Sequence, residues 1–194
     1  MYNKHATKVA NLLTSLAGSN SMENKDTDIQ VIIYGIELLL SSFVNLILVM
    51  IVGGYFFGIL PTLVFILFFC PIRQFSGGFH AKSYLTCTIG FLVLYFVLGN
   101  GMSFVRNEWI CFGTWIVLGG LVFVISPIDT ENKRLDKQLK SECKKKIGLI
   151  LCIELVVMIV FFGFGKLHFL QMAVTALCAE CILLVLGWFV NQKE

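Results

Sequence analysis

The sequence is poor in charged residues, and this scarcity sets its class. Only 14% of the residues are Asp, Glu, Lys or Arg, whereas soluble domains carry about 25%. Hydrophobic residues make up 57% of the 194-residue chain, and its mean hydropathy is +0.84. A single globular core of this size could not hide so much apolar surface from water. The composition excludes an ordinary soluble domain and predicts an integral membrane protein.

Several recognisable motifs are also missing from the chain. It contains no nucleotide-binding glycine pattern, no HExxH helix and no repeat of fixed period. Its seven cysteines do not alternate with polar loops as a secreted disulfide framework would, so we expect free thiols. Residues 1–30 lack the continuous apolar stretch of a signal peptide, so we expect the first span to drive insertion. We expect no cofactor and no nucleic-acid partner.

Apolar segments dominate the rest of the chain and predict an all-α, polytopic membrane protein of about six spans. A span needs about 20 helical residues, so the second and third segments are short, and four to six spans remain possible. The second segment is bounded by Gly53-Gly54 and Pro71. Residues 1–194 form one membrane domain, with its transmembrane region at 31–190. The six segments are approximately 31–52, 55–70, 84–98, 109–126, 147–164 and 169–190.

Residues 1–30 carry a different, amphipathic pattern. Leucines and a valine recur at helical spacing between Val9 and Leu16, with Lys4 and Lys8 on the opposite side. This pattern favours an N-terminal helix that lies in the membrane interface. A solvated helix packed on the rest of the protein would give the same pattern.

Positive charge is concentrated in the segment 128–146, which holds seven Lys and Arg residues. The positive-inside rule therefore predicts a basic cytosolic loop there. With an even number of spans, both termini and the segment around Arg73 to Lys82 also face the cytosol. The basic segment is either a topology signal alone or an electrostatic dock for an acidic peptide.

The most informative polar stretch is the predicted active-site loop, residues 71–87. It contains His80 and Cys87, and a cysteine attacks as thiolate once a base such as imidazole removes its proton. On one straight helix these two residues would lie roughly 10 Å apart along the axis, too far for a hydrogen bond. Gly77-Gly78 supplies a break that permits the chain to fold back. Arg73 could steer a carboxylate or support an oxyanion, as could backbone N–H groups near the glycines.

Plainer interpretations of the same residues stand beside this one. Cys87 is also compatible with a small buried hydrophobe, His80 with a solvated side chain and Arg73 with a snorkelling cation. A zinc site is poorly supported, because His80 and Cys87 supply only two ligands. Cys178 and Cys181 have CxxC spacing, but they lie inside an apolar span and are better interpreted as a packing surface.

Three acidic residues, Glu37, Glu154 and Glu180, fall within predicted spans. Such groups are costly in a membrane unless they are paired or face a polar cavity. Glu37 could orient His80 or contact a substrate, whereas hydrogen-bonded structural roles are the simpler interpretation of the other two. An ion-coupled transporter would also use such acids and is the alternative function. A non-catalytic scaffold is a third possibility.

The active-site stretch resembles the accessory gene regulator B (AgrB) family of Gram-positive quorum-sensing systems. The resemblance rests on Arg73-x-x-x-Gly77-Gly78-x-His80-Ala81 followed by Cys87. It extends more loosely over the whole chain, through its length, its polar amphipathic N-terminus and its six apolar segments. Glu37 is not part of the matching pattern.

The resemblance implies a membrane cysteine endopeptidase that acts on a short AgrD-like precursor peptide. It implies that Cys87 and His80 are catalytic and that Arg73 and Gly78 support them; Gly77 is the adjoining glycine. Cys87 would cleave off the C-terminal tail through a thioester intermediate, and the precursor would then close into a thiolactone or lactone. The family also implies a homodimer in the cell membrane, with the active site at the cytosolic face.

Overall fold

The computed structural model describes residues 43–77, 84–128 and 137–191. Within these ranges the regular structure is helical, apart from one isolated parallel β-bridge between Gly77 and Ile128. The predicted N-terminal helix of residues 1–30 lies outside the described residues. The helices are α1 (Phe43–Phe56), α2 (Ile59–Ser76), α3 (Tyr84–Ser103), α4 (Glu108–Ile125), α5 (Lys137–Gly163) and α6 (Leu167–Asn191).

The prediction of an all-α, multi-pass membrane protein is confirmed. Helices α2, α4, α5 and α6 each contain an apolar stretch of at least 18 residues, long enough to cross a membrane, and α1 and α3 add shorter apolar stretches. Large apolar side chains also point outward: Leu67, Val117 and Val156 are each more than 60% exposed. Such a surface is stable against lipid and unstable against water.

The break between the first two apolar segments lies later than the sequence suggested. We predicted a break at Gly53-Gly54, but α1 continues to Phe56 and the chain turns at Phe57 and Gly58. Gly58 has a φ of +92°, which only glycine adopts without strain. Gly53 is instead a site of close packing, because a Cβ there would collide with the hydroxyl groups of Tyr95 and Thr62.

Two predicted loops are shorter than expected. Pro71 does not end the second segment but lies inside α2, so the first part of the predicted loop 71–87 is helical. Its last part, from Tyr84, is the start of α3. The predicted loop 128–146 is likewise helical from Lys137, at the start of α5. Periodicity was hard to see there because the first turns of α5 are almost wholly polar.

The chain divides into two compact units after Leu48, and the core described here belongs to the second unit, residues 49–194. Helix α6 lies at the centre of this unit and packs against α2, α3, α4 and α5. Small side chains on α6, including Ala173 and Ala176, are fully buried and allow close approach of neighbouring helices. Gly119 of α4 serves the same purpose, since it faces Leu151 and Leu177.

Candidate active site at the end of helix α2

The last turn of α2 is closed by an arginine of its own sequence. Arg73 Nη1 donates a hydrogen bond of 2.6 Å to the carbonyl oxygen of Gly77. The last carbonyl groups of a helix lack partners within the helix, and a cation near them also complements the helix dipole. Gly77 itself has a φ of +73°, so α2 ends at a glycine that reverses the chain direction.

The same arginine faces a buried acid on another helix. Glu180 of α6 is fully buried, and its Oε1 lies 3.7 Å from Arg73 Nη1. Ser76 Oγ donates a hydrogen bond to that same carboxylate oxygen. Glu180 Oε2 has no hydrogen-bond partner among the residues that the structure describes. One carboxylate therefore binds two polar side chains of the last turn of α2, Arg73 and Ser76.

A short strap from α4 completes the junction. After α4 ends at Ile125, the chain passes through Ser126 and Pro127 to Ile128, whose N–H donates a 3.0 Å hydrogen bond to the Ser76 carbonyl oxygen. Ile128 forms the β-bridge with Gly77. A Cβ added at Gly77 would lie 2.5 Å from the Ile128 carbonyl oxygen, so close contact and positive φ both require glycine here.

This junction lies within the helix bundle rather than at its edge. Ile125, the last residue of α4, lines an apolar cleft together with Val185 and Trp188 of α6. Ser76, the last residue of α2, contacts Glu180. On α6, Glu180 lies five residues before Val185 and eight before Trp188. At 1.5 Å per residue, α2 ends roughly 8–12 Å deeper along α6 than α4 does. A segment of three extended residues, such as the strap, covers about 10 Å.

Aromatic contacts fix the register between α2 and α3. The rings of Phe65 and Tyr95 are 4.4 Å apart, and those of Phe69 and Phe91 are 4.9 Å apart. Each step of four residues along α2 is matched by four residues backwards along α3. Continuing that antiparallel register by one more turn places position 73 at the level of position 87.

The basic start of α5 lies beside this end of the bundle. Lys146 Nζ lies 5.0 Å from the ring centre of Phe75 in the last turn of α2, and Lys144 Nζ lies 5.2 Å from that of Phe123. Ammonium groups at these distances are attracted to the ring faces. The contacts place positive charge next to the junction.

The predicted site residues are distributed as follows. Arg73 and Gly77 are joined by a hydrogen bond in the junction. Cys87 belongs to the first turn of α3 by its backbone. Gly78, His80 and Glu37 lie outside the described residues, so their predicted roles remain predictions.

Glu180 is the residue whose role sequence reasoning missed. It was recognised as a costly acid within a span, but its partner could not be chosen from spacing, because Arg73 and Glu180 are more than 100 residues apart. A charged residue within a membrane span requires a partner of opposite charge, and this rule could have led to the pair. Arg73, adjacent to an apolar segment, was a suitable partner.

Glu154 of α5 has a contrasting environment. It is 5% exposed, and neither carboxylate oxygen has a hydrogen-bond partner among the described residues. The CxxC pair is a packing element here: Cys181 Sγ contacts the Leu118 carbonyl oxygen at 3.8 Å, and both Cys178 and Cys181 are free thiols. Neither feature joins the junction at the end of α2.

Comparison with known proteins agrees with the motif. The family model described as "Accessory gene regulator B" matches residues 6–186. A putative AgrB-like protein of Clostridium perfringens strain SM101 is 28% identical over 149 residues, which cover 70% of each chain. The accessory gene regulator protein B of Staphylococcus lugdunensis is 26% identical over 161 residues, covering 82% of this chain and 83% of that protein.

A putative AgrB-like protein of Listeria monocytogenes serotype 4a is 29% identical over 135 residues, or 66% of this chain and 65% of that one. No solved structure matches the chain. The family model covers the described core as well as most of the residues before it, so the match does not depend on the short motif alone. This multi-pass membrane protein belongs to the accessory gene regulator B family of quorum-sensing systems.

Proposed function

We propose that the protein is a membrane-embedded cysteine endopeptidase that removes the C-terminal tail of an AgrD-like precursor peptide. The observation that carries this proposal is the meeting of Arg73, Gly77 and Glu180 at the helical level of position 87. Two residues of the motif, Arg73 and Gly77, thus meet in one junction, and this supports the proposal. Family membership supplies the class of substrate.

In the proposed reaction, His80 takes the proton from the Cys87 thiol, and the thiolate attacks the carbonyl carbon that precedes the tail. The peptide C–N bond breaks, and His80 returns its proton to the leaving amine. The peptide is left as a thioester on Cys87. A cysteine or serine within the precursor then attacks this thioester, which closes the ring and regenerates the Cys87 thiol.

A recessed site suits this second step. Water and the internal nucleophile compete for the thioester, and hydrolysis would release a linear peptide instead of a ring. The end of α2 lies below the end of α4, beneath the strap at Ser126 and Pro127, in a bundle whose outer surface is apolar. Such surroundings limit the access of water to a reactive intermediate.

The orientation of the site is also part of the proposal. The lysines at the start of α5 lie at the same end of the bundle as the junction, whereas Arg106 and Lys166 lie at the opposite end. The greater positive charge favours the cytosol at the junction. The precursor would therefore be cleaved at the cytosolic face, by a protein that we expect to act as a homodimer.

The test is co-expression with the candidate precursor peptide, followed by mass analysis of the peptide and of any thiol-cleavable adduct. We expect tail loss and adduct in the wild type and complete loss of both in Cys87→Ala. For His80→Ala we expect a fall of at least about 100-fold, since general-base catalysis contributes that much.

Cys152→Ala is the matched control, because Cys152 is a free, exposed cysteine on a different helix, α5. It should cleave at the wild-type rate, at equal membrane levels. Unchanged cleavage in Cys87→Ala would exclude this mechanism. Transport in proteoliposomes that survives Cys87→Ala and requires Glu154 would favour the transporter instead.

A further inference from the structure

The junction contains a charged residue that the motif does not include. Glu180 is fully buried in α6. Among the hydrogen bonds and ion pairs of the described residues, it contacts α2 only through the last turn, at Arg73 and Ser76. A buried carboxylate that served packing alone would be costly, because an apolar side chain of similar size fills the same space without loss of hydration. Its placement therefore calls for a function.

The geometry of the arginine suggests what that function is. Arg73 is 17% exposed, and its Nη1 is divided between the Gly77 carbonyl oxygen at 2.6 Å and the Glu180 carboxylate at 3.7 Å. The shorter contact is a hydrogen bond, whereas the longer one is an attraction between charges. Glu180 thus acts on Arg73 chiefly through its charge.

Continuing the register of the Phe65–Tyr95 and Phe69–Phe91 contacts by one helical turn places position 73 at the level of position 87. That level is the turn of α3 that carries the proposed nucleophile. Positive charge near a cysteine favours the reactive thiolate. A guanidinium that could swing away would lose this effect and would also release the Gly77 carbonyl group.

We propose that Glu180 is a positioning residue of this site, which holds the Arg73 guanidinium at the end of α2, level with position 87. The inference rests on the proposed function for its catalytic consequence. Ser76 assists, because its hydrogen bond fixes the carboxylate oxygen that faces Arg73. Glu180 itself touches neither substrate nor reacting atoms.

The decisive variant is Glu180→Gln, which keeps the size of the side chain and an acceptor for Ser76 but removes the charge that attracts Arg73. Glu154→Gln is the matched control, since it makes the same substitution at a buried glutamate that has no hydrogen-bond partner among the described residues. We expect Glu180→Gln to lower kcat for tail cleavage by about 10- to 100-fold with little change in KM. Glu154→Gln should stay within about twofold of the wild type.

A second readout does not require the peptide. The rate at which iodoacetamide alkylates Cys87 at neutral pH can be followed in membranes by mass spectrometry of the peptide that contains it. Glu180→Gln should slow this reaction several-fold relative to wild type and Glu154→Gln, as should Arg73→Gln. The double variant Arg73→Gln/Glu180→Gln should be no slower than Arg73→Gln alone, because the two residues act as one unit.

The outcomes separate this inference from the proposed function. If the wild type fails to cleave any candidate peptide, the endopeptidase proposal falls, and the alkylation rates alone decide the role of Glu180. An unchanged Cys87 rate in Glu180→Gln, or equal effects of Glu180→Gln and Glu154→Gln, would overturn the positioning role. If Glu180→Gln fails to accumulate, Ser76→Ala is the second variant, because it keeps both charges. A slower alkylation of Cys87 in Ser76→Ala supports the inference, and an unchanged alkylation rate overturns it.

Discussion

The two ends of helix α2 solve a similar structural problem with different chemistry. Each is bordered by a glycine with positive φ, Gly58 at +92° and Gly77 at +73°. At the first end, Thr62 and Tyr95 form a buried, uncharged pair, with 3.2 Å between their oxygens. At the second end, the pair is charged and joins the partly buried Arg73 to the fully buried Glu180. Uncharged pairs suffice to fix a helix end, so the ionic pair indicates a further task.

The largest effect should come from removing one charge of the ionic end. Arg73→Met leaves Glu180 buried without its counter-ion, and such a loss typically costs about 3–5 kcal/mol. Unfolding of the purified protein in detergent should report this loss, whereas Arg106→Met, at an exposed arginine, should change stability little.

Removal of both charges sharpens the same comparison. The double variant Arg73→Met/Glu180→Met should regain much of the lost stability, because apolar side chains can replace a buried ion pair at little cost. It should nevertheless stay inactive in tail cleavage. Recovery of stability together with activity would mean that the charges serve the fold only.

The two glycines give the next largest difference. Alanine at either position adds the strain of positive φ, about 1–2 kcal/mol, but only at Gly77 does the new Cβ meet a backbone oxygen, 2.5 Å away. At Gly58 the nearest atom is a Pro61 carbon at 3.5 Å. Gly77→Ala should therefore destabilise the protein more than Gly58→Ala and should also reduce cleavage, when the two variants are compared at equal membrane levels. Equal effects on cleavage would argue against the strap contact as part of the site.

The smallest effect is expected at the uncharged end. Tyr95→Phe removes one hydroxyl group from a fully buried ring, and Thr62 keeps its 2.8 Å hydrogen bond to the Gly58 carbonyl oxygen. The expected loss of stability is about 1 kcal/mol, measured as for Arg73→Met, with no change in cleavage. Tyr55→Phe, on an 84% exposed ring, is the control and should be silent.

The sequence was sufficient for the fold class and for most of the helices. Apolar runs identify spans directly, because a lipid-facing helix has no polar side to hide. Boundaries are harder to predict: proline removes a helix hydrogen bond and therefore indicates an end at Pro71, yet α2 continues for five more residues. The closure by Arg73 and Gly77 depends on a contact with Ile128 that no local pattern encodes.

The candidate site was predicted in part. The motif pointed to Arg73 and Gly77, and these two are joined in the structure. Glu180 was noticed for its cost, but the choice among three acids required the packing of α6 against α2. Glu37 was the acid we considered for support of His80, and it lies outside the described residues. The acid that the structure connects to the motif comes from the other end of the sequence.

The position of Glu180 on α6 has a consequence for how the protein is made. Helices of a membrane protein emerge from the ribosome in chain order, and α6 is the last of the described helices. Until it arrives, the last turn of α2 lacks the carboxylate that Arg73 and Ser76 bind. A nascent chain could therefore hold all of its motif residues in the membrane and still be unassembled at this junction. Arrival of α6 would therefore be the step that assembles this junction.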